Sequence, residues 1–421
     1  MRICVLCVGS QGDVAPFVAL GSKLKSEGHD VVLATHEKFR AFTERFSLPF
    51  QPIGGDLSLT TTPEESRDLF AATGFMKVIS IFKLMRLFYK VLDGQLQDSF
   101  EAARNADMVI YHQAAFAGPH LAEHFHVPAV QMFLQPELPT AEHPSCLVGM
   151  PKWLGRIGNL IGHWISQQFL WQVFRGKINH WRVEHLKLSK SPFWKPTNYS
   201  NIRNLVAFSP SLIPRPTDWN SSIGMTGFCR VLEEQQWQPS PALSHFLQDG
   251  EPPLYLGFGS LSETFSPEDI KMMITVLKER KIRTIVPKNL PGLQELKPPS
   301  PYIFAIDYVP HDWLFPRVSA VIHHGGVGTL SSGLHAGKPT WVMPCIVDQF
   351  FFGEKVVEWG IGPLAMPRNR ITQEAFSAGL DRLLNTPSYR ENALQFKEKL
   401  SKENGVEAAY SFIFSRNEEI S

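Results

Sequence analysis

The chain has 421 residues, 43% of them hydrophobic and 19% charged, and a formal net charge of +1. This is globular composition, long enough for two or three domains that each bury a core. A charge this close to zero excludes any global attraction to nucleic acid or to an anionic membrane.

Met1 leads directly into RICVLCVG, a buried-strand pattern without the cationic region or cleavage site of a signal peptide. No unbroken apolar run reaches the ~20 residues of a membrane span. The longest candidate, around 147–174, is interrupted by Lys152 and Arg156. The expectation is a cytoplasmic protein whose only membrane contact would be peripheral. The five cysteines, Cys4, Cys7, Cys146, Cys229 and Cys345, are too few and too scattered for a disulfide framework. Cys4 and Cys7 form C-x-x-C, but residues three apart on a strand point to opposite faces, so two buried thiols are expected.

The first half opens with RICVLCVGSQGDVAPFVALGSKLKSEGHDVVLATH. Its pattern is strand, glycine turn, helix and strand. Residues 69–92 are apolar with Lys77, Lys83, Arg86 and Lys90 interspersed. A helix packed on the first domain with its lysines turned outward accounts for them better than a membrane-surface helix. ADMVIYH (106–112) and VPAVQMF (127–133) are further strands around a helix, and WLGRIGNLIGHWISQQFLWQVF reads as an aromatic helix. Alternation of this kind predicts an α/β domain with a doubly wound parallel sheet.

SPSLIPRPTDWNSS and QPSPA make 209–242 read as a linker. The second half restarts at PPLYLGFGS (252–260). A helix follows, with Ser266 as N-cap and Pro267 at the first helical position. KIRTIVP, YIFAIDYVP, VSAVIHH and PTWVMP supply the strands of a second Rossmann-like domain. The expected division is 1–208, a linker 209–242, a second domain 243–390, and helices at 391–421 that cross back to the first domain. Facing domains of this kind bind ligands beyond the carboxyl ends of their strands.

HHGGVGTLSSGLHAG (323–337) closes one of those strands. Alternation sends His323 and His324 to opposite sides. Gly325, Gly326 and Gly328 allow a tight turn, and a helix is expected from Thr329, with Ser331 and Ser332 in its first turn. Free amides and the positive dipole end would meet a phosphate there. Neither the Walker spacing nor G-x-G-x-x-G is present. On this stretch alone, a structural glycine turn with packed histidines explains the residues equally well. Asp348 and Gln349 follow the next strand and could bracket sugar hydroxyls, which together with a diphosphate site describes a nucleotide sugar.

With those residues in view, HHGGVGTLSSGLHAGKPTWVMPCIVDQ resembles the donor signature of the inverting, UDP-dependent glycosyltransferases of two-Rossmann (GT-B) architecture, most closely the sterol 3-beta-glucosyltransferases. GSQGDVAPFVALGSKLKSEGHDVVLATH and YVPHDWLFP (308–316) are similar to other stretches of that family. The resemblance implies that His324 and the backbone of Gly326, Val327, Gly328 and Thr329 hold the diphosphate, with Ser260 reaching it from the neighbouring strand. It implies Asp348 and Gln349 for the sugar, and Val309 and His311 for uracil. Asp13 would be the general base, and Ser10, Gln11 and Gly12 beside it would help to bind the donor. Read without the family, Asp13 is better explained as an N-cap carboxylate than as a base. Gln11 stands where the family usually has Arg, and Phe350 to Phe352 replace a segment where Trp and Pro are common.

The implied donor is UDP-glucose, with no resident cofactor. No metal is expected, because the chain lacks the Asp-x-Asp pair by which metal-dependent glycosyltransferases usually hold a cation. The acceptor would be a sterol or similar apolar alcohol, contacted by candidates Phe75, Phe82, Met85 and Phe133. Another aglycone (polyketide, flavonoid or glycolipid) and a non-catalytic nucleotide-binding module are the alternatives. An NAD-dependent oxidoreductase is disfavoured by the missing glycine spacing.

Overall fold

Strands buried on both faces of a parallel sheet read as unbroken apolar runs, and each half of the chain begins with one. A computed structural model describes residues 1–56, 75–233, 237–295 and 300–415. It divides into two units. The first comprises residues 1–60, 83–231 and 403–421, and the second residues 61–82 and 232–402.

In the first unit the strands are β1 (Arg2–Leu6), β2 (Asp30–Thr35), β3 (Phe50–Pro52), β4 (Met108–His112), β5 (Ala129–Phe133), β6 (Ile202–Val206) and β7 (Ile223–Met225). They form one parallel sheet in the order β3-β2-β1-β4-β5-β6-β7. The order reverses between β1 and β4, where Leu6 pairs with Tyr111. Ile3, Val5 and Cys7 pack on one face with Phe17 and Leu20, and Cys4 and Leu6 pack on the other with Leu96, Phe174 and Trp181. All five cysteines are free, and burial pushes the Cys4 and Cys7 thiols up to about 12.

Residues 209–231, expected to be linker, fold into this unit: they contribute β7, and Leu212, Trp219 and Cys229 are buried. Their prolines and serines belong to tight turns, and composition alone does not separate those from a linker. The final helix, Gly405–Phe414, also returns to the first unit. Asn404 caps it, Ala409 and Ile413 enter the core, and Arg203 lies 4.0 Å over the Phe412 ring. The preceding helix, Pro387–Leu400, stays with the second unit.

The second unit has β8 (Leu254–Gly257), β9 (Thr284–Pro287), β10 (Ile303–Ile306), β11 (Val321–His323) and β12 (Thr340–Val342). Their parallel order, β10-β9-β8-β11-β12, reverses between β8 and β11. Ser266 caps the Pro267–Glu279 helix as expected, accepting from the Asp269 amide at 3.0 Å. Among the described residues, no helix is long and apolar enough to cross a membrane.

Candidate active site

In open parallel sheets ligands bind beyond the carboxyl ends of the strands, where strand order reverses. Each unit has one such point, and the two are built differently.

In the second unit it lies beyond β8 and β11. His323 is buried, and its Nδ1 accepts from the Gly325 amide at 3.0 Å. His324 turns the other way, with the two rings at 89°. A Cβ on Gly259, in the turn after β8, would come within 3.2 Å of the His324 ring, and one on Gly326 within 2.4 Å of its Nε2. The ring therefore bridges the turns after β8 and β11, and only glycine fits beneath it at Gly326. Burial, and then the nearby His311, lower its pKa to about 4, so at neutral pH it is an uncharged donor or acceptor.

Gly326 is the N-cap of the Val327–His335 helix, which begins two residues before the expected Thr329. No side chain caps this terminus, and its first turn holds no acidic residue. The leading amides are thus available to an anion. Ser331 and Ser332, expected in the helix's first turn, fall in its second. Ser331 is buried, and the Ser332 hydroxyl donates to the Gly328 carbonyl at 3.0 Å. Ser260 is exposed just after β8.

Val309 and His311 follow β10. Val309 is buried, and His311 stacks on Phe315 at 4.3 Å with its Nε2 3.5 Å from the Tyr255 hydroxyl. Burial lowers the His311 pKa to about 4. Asp348 is half-buried in the first turn of the Val347–Glu358 helix. Gln349 beside it is 3% exposed, and its Oε1 accepts from the amides of Cys345 and Ile346 at 2.9 and 3.2 Å. That oxygen is committed to capping its own helix, which leaves only the amide nitrogen for a ligand.

In the first unit the reversal point holds a carboxylate. Asp13 Oδ2 accepts from the Ser10 amide at 2.7 Å and the Ser10 hydroxyl at 2.9 Å. It therefore seals the N-terminus of the Gln11–Ser26 helix. Gly9 has φ +132°, and a Cβ there would fall 2.4 Å from Asp13 Oδ2, so the loop needs glycine. Gln11 and Gly12 are exposed. Of the acceptor candidates, Phe133 is buried and Met85 packs against the core, while the side chains of Phe75 and Phe82 lie outside the described residues.

The known-protein comparisons agree with this architecture. Residues 3–144 match the glycosyltransferase family 28 N-terminal domain, and residues 278–412 match the EryCIII-like C-terminal domain, named for an erythromycin biosynthesis protein. The chain is 32% identical to a sterol 3-beta-glucosyltransferase of Arabidopsis thaliana over 97% of its own length and 67% of that protein's. It belongs to the sterol 3-beta-glucosyltransferase family of GT-B glycosyltransferases. Against the Saccharomyces cerevisiae sterol 3-beta-glucosyltransferase the identity is 30%, over 98% of this chain but only 35% of the yeast protein. The glycosyltransferase VinC, solved with dTDP, superposes with a TM-score of 0.68 at 18% identity, covering 98% of each chain. The calicheamicin glycosyltransferase CalG4 does so with 0.68 at 16% identity, over 98% of this chain and 97% of its own. The enzyme is thus a glycosyltransferase that uses a nucleotide-sugar donor.

One neighbour of Asp13 in this glycosyltransferase escaped the sequence reading. His112 ends β4, is 5% exposed, and its ring lies against the Val8 backbone. It meets Phe17, one helical turn beyond Asp13, edge-on at 5.8 Å. Burial lowers its pKa, and the Asp13 charge acts in the opposite direction. Its place at the end of the strand beside β1 was the available signal, but ADMVIYH is legible as a strand without giving the sheet order.

Proposed function

We propose that the enzyme transfers glucose from UDP-glucose to a hydroxyl of a sterol or similarly apolar acceptor, with inversion and without a metal. The donor half of this reading rests on one observation above the rest. The Val327–His335 helix has an uncapped N-terminus at the reversal point of its sheet, under the His324 ring, which also meets Gly259 in the turn that carries Ser260. There the amides of Val327, Gly328 and Thr329 take the diphosphate. His324, uncharged, adds a hydrogen bond from Nε2 rather than a positive charge. Asp348 accepts from sugar hydroxyls, and the Gln349 amide nitrogen donates to one. Val309 and His311 border the uracil.

Asp13 is the proposed base. Oδ2 is held by Ser10, so Oδ1 takes the acceptor's proton. The acceptor oxygen then bonds to the anomeric carbon as the bond to the diphosphate breaks, and UDP leaves with the electron pair. Its growing charge is met by the helix amides. Deprotonation by a positioned base contributes typically ~10²–10⁴ in rate. The sterol assignment follows the names of the relatives. Incubation with UDP-glucose and a mixed lipid extract, followed by mass spectrometry, should yield a hexosylated sterol. Hexosylation of another aglycone alone would overturn the acceptor, and absence of UDP binding would overturn the donor site.

A further inference from the structure

The Gly155–Glu184 helix buries one face and leaves the other bare. Near its start, Gly158 and Gly162 face inward, and a Cβ on Gly162 would fall 2.8 Å from the Val148 carbonyl. The Asn159 amide donates to the Ala141 carbonyl at 2.9 Å, and His163 Nε2 lies 3.2 Å from that of His143. This seat fixes the rotation of the helix, so its outer face cannot roll inward.

That outer face is apolar. Trp153, in the turn before the helix, is 83% exposed, Ile157 68%, Leu160 47% and Trp164 53%. Ile157, Leu160 and Trp164 are spaced as one helical stripe. Beside it, Phe193 and Trp194 are 49% and 59% exposed, with the Trp194 ring 6.1 Å from that of Trp164. Their loop is pinned to the helix through backbone carbonyls: Gln168 donates to Trp194 at 2.9 Å, and Trp171 and Gln172 donate to Phe193 at 2.8 and 2.7 Å. Single exposed apolar side chains are ordinary, but a contiguous, rigidly presented patch marks an interaction surface.

Its rim is basic. Lys152, Arg156 and Lys195 are exposed around it and Arg175 lies 4.3 Å over the Phe193 ring, while the acidic residues from 142 to 218 are Glu142, Glu184 and Asp218, the last within reach of Arg156. Indole rings at the centre with cations at the edge match the boundary of a bilayer bearing anionic lipid. A second copy of the chain is a poor occupant, because a two-fold contact would bring this basic rim against itself.

We propose that the stripe from Trp153 to Trp164, with the Phe193–Trp194 loop, docks the enzyme on an anionic membrane surface. This adds a place to the proposed apolar chemistry of the acceptor, but it stands on the surface alone. Co-sedimentation tests it, using vesicles of phosphatidylcholine with and without phosphatidylserine. The protein should bind the phosphatidylserine vesicles in a salt-sensitive way. Affinity should fall about tenfold for each of Trp153→Ser and Trp164→Ser, and about fivefold for each of Lys152→Gln, Arg156→Gln and Lys195→Gln. In the unaltered protein, tryptophan fluorescence should be quenched by brominated lipid. UDP binding, read in parallel, should be the same in every variant, which separates this surface from the donor site. Unaltered vesicle binding in the double tryptophan variant would overturn the proposal. So would a concentration-dependent dimer abolished by the same two changes, or no vesicle binding by the unaltered protein.

Discussion

The two reversal points are variations on one plan with opposite electrostatics. Each places a helix N-terminus beyond two adjacent parallel strands. In the Val327–His335 helix no side chain caps that end, so its positive pole can receive an anion from outside. In the Gln11–Ser26 helix the same pole is taken by the chain's own Asp13. A diphosphate seated on that pole would meet a carboxylate, which disfavours it as an anion seat and leaves a group able to take a proton. The contrast sits at one register position: Asp13 is the third residue of its helix, and Thr329 is the third of the other.

The largest expected effect is at the first unit. Asp13→Asn retains a side-chain oxygen for the Ser10 cap but removes the base. Turnover should fall by about 10²–10⁴, while UDP binding, read by calorimetry, stays within about twofold because the change lies in the other unit. Joint loss of both would mean that the two ends do not divide the work as proposed.

Thr329→Asp copies the first unit's arrangement into the second. The new carboxylate should occupy the helix pole and weaken UDP binding by about 10–100-fold, as expected from placing a like charge against a phosphate. The folded state should change little or gain about 0.3–1 kcal/mol from the dipole. Undiminished UDP affinity would remove this helix from the donor site.

What the two ends share can be tested by pH. His324 and His112 each have pKa values lowered by burial, to about 4 for His324. In the unfolded chain both should titrate near ~6.5. The unfolded state therefore binds protons first as pH falls, and stability should decline from about pH 6.5 and level off below the folded values. For His324 the loss is on the order of 3 kcal/mol by pH ~4. Urea midpoints at several pH values measure it, and His324→Gln should flatten part of the slope.

The central strands and the donor turn were legible because each carries its signal locally. β1, β4, β5, β8 and β11 are apolar runs buried on both faces. The glycines of HHGGVG mark a turn whose backbone must approach something closely. β6 and β7 were not legible. IRNLV contains a guanidinium that is covered only because Phe412 returns from the far end of the chain. The bond from Ser332 to the Gly328 carbonyl was not legible, because a serine in a helix can bond to the carbonyl four residues back or point to solvent with the same sequence. The capping role of Gln349 was not legible, because its inward turn depends on where the Val347–Glu358 helix begins, and DQFFFGEKVV does not mark that start.

Gln349 also supplies the smallest effect and a way to separate its two uses. Its Oε1 holds the Cys345 and Ile346 amides, so Gln349→Leu should cost about 1 kcal/mol through the lost cap. Gln349→Glu keeps an acceptor for both amides and removes the nitrogen donor. If that nitrogen reads a sugar hydroxyl, the glutamate variant should retain its melting midpoint, bind UDP as before and lose several-fold in kcat/KM for the nucleotide sugar. If kcat/KM is unchanged while the leucine variant still loses stability, Gln349 only caps its helix, and recognition of the hydroxyls falls to Asp348.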